Sequence, residues 1–234
     1  MNRLAKVQAI SGLCFALFLV LHLATTVSAI GGPAAYDGVL AAFRTMYRAH
    51  PVVEILVIGL SGSIHITCAI LRILERRRTG PHPKPPLLLR AHRWSGYFLA
   101  LVIVGHVFAT RVMPAVATGA TATGRADFSY LAYSVLGWPV FINPYYFMLG
   151  LAGAIHLGLG LGYAAATLAP RRFGSPGARR ASIAIATFAG ALVVAGVASV
   201  IGRAGEADRS RFPEYEAVYD RLLPFMAPAR SKMP

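Results

Sequence analysis

The chain has 234 residues, 56% of them apolar and only 14% charged, with a mean hydropathy of +0.57 and a formal net charge of +14. That balance excludes a water-soluble enzyme with a domain of its own. The charge points to nucleic acid only until its distribution is read, because the basic residues collect at the ends of apolar runs.

Five such runs follow in chain order, at about 7–30, 52–74, 94–113, 145–169 and 181–202. A helix needs about 20 residues to cross about 30 Å of hydrocarbon, so each run fits one crossing. The third is flanked by Arg93 and Arg111, whose long side chains can carry their charges to the headgroups. The expected fold is therefore an all-α integral membrane protein, with a transmembrane five-helix domain over 1–202 and an extramembrane C-terminal tail over 203–234.

Lys and Arg set the orientation. Arg3 and Lys6 precede the first run, and Arg72, Arg76, Arg77, Arg78, Lys84, Arg90 and Arg93 fill the connection from the second to the third. Arg171, Arg172, Arg179 and Arg180 lie between the fourth and fifth, whereas the remaining two connections hold only Arg44, Arg48, Arg111 and Arg125. By the positive-inside rule the N-terminus is inside and the C-terminus outside, in a bacterial or mitochondrial inner membrane. The excess charge orients the chain, with attraction to membrane lipid a secondary role; no nucleic-acid partner is implied. The first run has a secretory signal peptide as its rival reading, but it exceeds the usual ~7–15-residue apolar region and contains His22. Cys14 and Cys68 lie in the runs without metal-site spacing and read as packing residues, which leaves no ligands for an iron–sulfur cluster.

An internal repeat underlies these runs. Residues 11–26 (SGLCFALFLVLHLATT) match residues 95–110 (SGYFLALVIVGHVFAT) at seven of 16 positions, histidine included. Residues 59–65 (GLSGSIH) match residues 150–156 (GLAGAIH) at five of seven, again with histidine in register. The offsets of 84 and 91 residues describe a two-helix hairpin present twice in one orientation.

A histidine inside a membrane span is costly and usually faces a bundle interior, a partner or a cofactor. From the ~1.5 Å rise per residue, His22 and His106 share a level roughly 18–22 Å from the inner surface, with His65 and His156 about 8–10 Å below them. Two imidazoles at each of two levels suit two b-type haems, held in a four-helix bundle of the first four spans. Zinc or copper would gather three or four ligands at one level. The small residues before His65 (Gly59, Ser61, Gly62, Ser63) and His156 (Gly150, Ala152, Gly153, Ala154) fit either a close porphyrin face or small-residue helix packing. His50, His82 and His92 read as solvated or headgroup residues. His92-Arg93 is either an inner-surface anchor or a cationic partner for a haem propionate or a quinone. Glu54 either pairs with Arg111 or delivers protons to a quinone.

At these residues the chain resembles the membrane cytochrome b subunits of succinate dehydrogenases and fumarate reductases, in their five-helix, di-haem form. The resemblance covers about 7–168: His22 late in the first span, Glu54 with His65 eleven residues on, His92-Arg93-Trp94-Ser95-Gly96, His106 with Arg111 five residues on, and His156. It implies that His22 and His106 ligate the outer haem iron and His65 and His156 the inner one, with Arg93 and Ser95 as quinone or propionate contacts near the inner face. The sequence departs from the family in having no serine three residues before His92 and in the length of its tail. The implied role is a membrane anchor in the respiratory chain, a non-catalytic or quinone-site subunit of a succinate:quinone oxidoreductase (complex II). It would pass electrons between flavoprotein and iron–sulfur subunits at the inner face and membrane quinone. The chain itself has no G-x-G-x-x-G segment for a flavin nucleotide, so substrate oxidation would belong to those partners.

The chain is also similar to a fungal mitochondrial membrane adaptor family that docks a lipid-transport protein, in Met46-Tyr47-Arg48, His50-Pro51, Ser95-Gly96, Arg111 with Pro114, and 130–139. That likeness implies a rival role, a haem-containing or haem-free adaptor or scaffold without quinone chemistry.

Overall fold

The computed structural model describes residues 3–48, 51–80, 83–114 and 126–230, with residues 47, 48 and 51 described by backbone alone. His50, His82 and Arg125 lie outside the described residues. The main helices, in chain order, are α1 (Arg3–Gly31), α2 (Pro33–Arg48), α3 (Glu54–Arg78), α4 (Leu87–Val112), α5 (Phe128–Gly137), α6 (Pro139–Leu168), α7 (Pro176–Gly202) and α8 (Phe212–Leu222). Of these, α1, α3, α4, α6 and α7 are long and apolar enough to cross a membrane. No strand occurs among the described residues.

The five long helices sit on the five apolar runs and overrun several of them. The third begins at Leu87 rather than at 94, because Arg90, His92 and Arg93 are compatible with helix and extend it into the polar connection. The fourth begins at Pro139 rather than at 145. Pro139 stands in the first turn, where its missing N–H costs nothing, and Pro144 removes only one further bond. Within the spans, hydroxyls are satisfied without water: Ser11, Thr25, Thr110 and Thr167 donate to carbonyls four residues back at 2.9, 3.1, 2.7 and 2.7 Å.

Packing runs in the order α3, α1, α6, α4, with α7 set against α6 and α1. The pairs α1/α4 and α3/α6 are thus the diagonals of a four-helix arrangement, and the α3–α4 edge is not among its closely packed contacts. Glycines draw α6 and α7 together, since a Cβ on Gly158 would fall 2.5 Å from the Ala186 backbone. The outward faces expose large apolar side chains, with Leu101 at 81% and Val104 at 75% on α4, as lipid contact requires.

One end of the bundle is closed by a cap. Phe128, Ala132 and Val135 of α5 pack on Ala29, Val200 and Ala204 at the ends of α1 and α7. Tyr130, Tyr133 and Trp138 pack with Met113 against Tyr215, Val218 and Tyr219, whose spacing places them on one face of α8. Asp127 organises this join: it caps α5 by accepting from the Tyr130 N–H at 2.9 Å, accepts from the Tyr215 hydroxyl at 3.0 Å, and pairs with Arg211. Trp138 Nε1 donates to the Met226 carbonyl at 2.9 Å, and Asp37 of α2 accepts from the Phe128 N–H at 2.8 Å. Burial pushes the Tyr133 phenol up to about 12 and raises the Asp37 carboxyl, although the Phe128 N–H pulls the latter back. The tail, expected from the sequence only as an extramembrane segment, packs into this cap through Tyr215, Val218 and Tyr219.

Candidate functional site

The four span histidines meet in two pairs across the two diagonals. His22 of α1 and His106 of α4 have ring centres 5.8 Å apart with planes inclined at 72°. His65 of α3 and His156 of α6 have centres 6.0 Å apart with planes at 86°. An iron bonded to one nitrogen of each ring at about 2 Å would set the centres roughly 6 Å apart. Both pairs therefore have the separation that two axial ligands of one metal require.

The far side of each ring matters as much as the near one, because a ligating imidazole is fixed by the bond its other nitrogen makes. His65 Nδ1 lies 3.0 Å from the Gln8 carbonyl and His156 Nδ1 lies 3.0 Å from the His92 carbonyl. His106 Nδ1 lies 3.3 Å from the Tyr145 hydroxyl. A carbonyl can only accept, so His65 and His156 carry their proton on Nδ1 and keep the Nε2 lone pair free for a metal, whereas the Tyr145 hydroxyl can donate to or accept from His106.

The local sequence explains how the rings reach those carbonyls. A Cβ on Gly12 would lie 2.7 Å from His65 Nδ1, and one on Gly96 would lie 2.7 Å from His156 Cε1. Only glycine lets an imidazole approach the neighbouring helix so closely at these two points. The Ser11 and Ser95 hydroxyls donate to the same two carbonyls, at 3.2 and 3.0 Å. Gln8, Ser11 and Gly12 thus serve His65 as His92, Ser95 and Gly96 serve His156, each 84 residues apart. On α1, ten residues separate Gly12 from His22, about 15 Å of helix rise, from which the backward lean of the His22 ring subtracts.

The pairs line one cavity of about 1650 Å³, bounded by α1, α3, α4 and α6. Ordinary ligand sites occupy roughly 300–1,000 Å³, so this one has room for two macrocycles. Of the small residues before His65 and His156, Gly59 opens on the cavity with nothing near it, whereas Gly150 is filled by Val193 of α7 at 2.8 Å. Close approach and helix packing are therefore divided among them. Among the described residues no group of three or more His, Cys, Asp and Glu converges as a metal centre; the span imidazoles meet in twos. Glu54 lines the cavity near the capped end and pairs with Arg111 at 3.0 Å, which links the π-helical turns Glu54–Leu60 and Phe108–Val112. Arg93 lines the opposite mouth with Arg72 and Arg76. Ser95 is buried and spends its hydroxyl on the His92 carbonyl, and it is not among the cavity's lining residues.

His92, read from the sequence as a solvated or headgroup residue, instead turns inward and stacks on His156, with ring centres 4.2 Å apart and planes within 11°. Its register opposite Gln8 in the repeat was the available signal. Tyr145 had none beyond its place at the start of an apolar run. No family model, curated protein or solved structure matches this chain.

Proposed function

We propose that the chain is a di-haem cytochrome b membrane anchor, which passes electrons between a peripheral flavin and iron–sulfur dehydrogenase module and membrane quinone, as in succinate:quinone oxidoreductases. The observation that carries this reading is the double pairing of imidazoles across the diagonals, at 5.8 and 6.0 Å, within one cavity. His22 and His106 would hold one haem iron and His65 and His156 the other. Bound haem iron supplies one-electron chemistry through the exchange of ferric and ferrous states.

The chain's own residues do the rest. The Gln8 and His92 carbonyls orient His65 and His156 and raise their basicity as ligands, which favours the ferric state. Gly12 and Gly96 give those rings clearance, and the apolar walls exclude water, so little rearrangement accompanies a change of charge. The cavity mouths supply charged groups: Arg93, Arg72 and Arg76 at one end suit propionates or a quinone head, and Glu54, held by Arg111, is an acid at the other where a quinone would take up protons. The matching contacts of Gln8/His65 and His92/His156 support a bundle built from a duplicated hairpin. With α1 starting inside, the arginine-rich connections would face the dehydrogenase module.

Purification in mild detergent tests this. A reduced spectrum of bis-histidine haem that is reoxidised by added quinone, with a flavoprotein and an iron–sulfur protein co-eluting, is the expected result. A haem-free chain that elutes alone would overturn it in favour of the adaptor role.

A further inference from the structure

His92 occupies a slot built for a flat ring. On α6, His156 and Tyr163 are seven residues apart, so both project from one face about two turns apart, and the His92 ring enters between them. Its centre is 4.2 Å from that of His156 and 5.3 Å from that of Tyr163. The floor is Gly160, where a Cβ would fall 3.1 Å from His92 Cε1. His92 Nδ1 is buried with no hydrogen-bond partner among the described residues, so that atom does not anchor the ring. Stacking and shape hold it, together with a contact to the His156 backbone.

The equivalent place beside His65 is different. Gln8 offers the same carbonyl, but its side chain turns away to accept from Arg72 at 2.6 Å, and among the described residues no ring stacks there. One ligand of the α3/α6 pair is therefore held by a carbonyl alone and its partner by a carbonyl and a stacked ring.

We propose that His92 is a positioning residue that clamps the plane of the His156 imidazole, keeping it crossed against that of His65. The inference rests on the haem reading above, and concerns how one haem is tuned. A ring pressed flat on His156 resists rotation about the axis through its Nε2, which the carbonyl bond at one edge resists only weakly. The angle between two axial imidazole planes sets the splitting of the iron d orbitals in the low-spin ferric state, and so the anisotropy of its electron paramagnetic resonance signal. Rings crossed at 86° would give a haem held between them a strongly anisotropic signal.

The test uses the full-length protein in detergent and the variants His92→Ala and His92→Phe, with haem counted in each and the α3/α6 signal identified as the one that disappears in His65→Ala. The expected result is two haems throughout, a shift of that one signal toward lower anisotropy in His92→Ala with the other unmoved, and the wild-type position restored in His92→Phe, which stacks without nitrogens. An unshifted signal in His92→Ala overturns the proposal, as does a shifted signal or a lost haem in His92→Phe. If His92→Ala fails to fold, His92→Leu, which fills the slot without a flat ring, takes its place under the same criterion. A wild-type protein without haem overturns the underlying reading, and is told apart by the haem count alone.

Discussion

The two ends of this molecule are built on opposite rules. In the cap, Trp138, Tyr133, Phe128 and Met113 are fully buried, Tyr133 and Trp138 sit among other aromatic rings, and Asp127 ties α5 to the tail. In the bundle below it, the interior is lined by imidazoles, small residues and aliphatic chains around a large cavity, and α4 contributes only Ser95 to the buried residues of its α-helical part. The cap is held by close packing of its side chains. On the proposed reading, haem held by the histidines would stabilise the bundle interior, since a ligand that binds only the folded state stabilises it. A cap of fixed shape at one end keeps α1, α6 and α7 in register while the α3–α4 side stays loosely joined.

Substitutions sharpen that contrast, or break it. His65→Ala or His156→Ala should remove one of two haems outright, read as halved pyridine haemochrome, and should lower the thermal midpoint of the bundle; retention of both haems would break the pairing. Trp138→Ala should cost about 3–5 kcal/mol in the cap and free the tail to protease, while the haem count stays at two. Gly96→Ala drives a Cβ toward His156, and should weaken haem retention at that level by about 10–100-fold, the range for disturbed support of a metal ligand, with the α1/α4 level unchanged. The smallest effect is expected at Asp37. Its folded pKa lies above the unfolded value of 3.8 because of burial, so its contribution to stability is complete below that value and is lost as pH rises through the folded one. At neutral pH its charge is a cost, and Asp37→Asn, which keeps the oxygen that accepts from Phe128, should leave the midpoint unchanged or slightly raised in a thermal melt; a marked drop would show that the carboxylate is needed.

The spans were legible because hydrocarbon imposes a length and a composition on each. The histidine pairs were legible because a repeat carried them in register and the helix rise set their depth. What stayed hidden depended on contacts that periodicity does not encode. His92 lies in a basic stretch that reads as a surface anchor, and only the slot between His156 and Tyr163 draws it inward. The helix Phe128–Gly137 caps itself with Asp127, but its burial comes from distant partners, Ala29 and Val200 on one side and Tyr215 and Tyr219 of the tail on the other. The overrun of α6 past Pro144 shows a proline tolerated near a helix start, where a reading from apolarity alone stops.

Haem stoichiometry of the purified full-length chain tests the central claim most directly. Two b-type haems per chain, falling to one in either His65→Ala or His106→Ala and to none when both are changed, is the result expected from two crossed histidine pairs. A wild-type chain with no haem, or one whose haem content is indifferent to all four histidines, would contradict it.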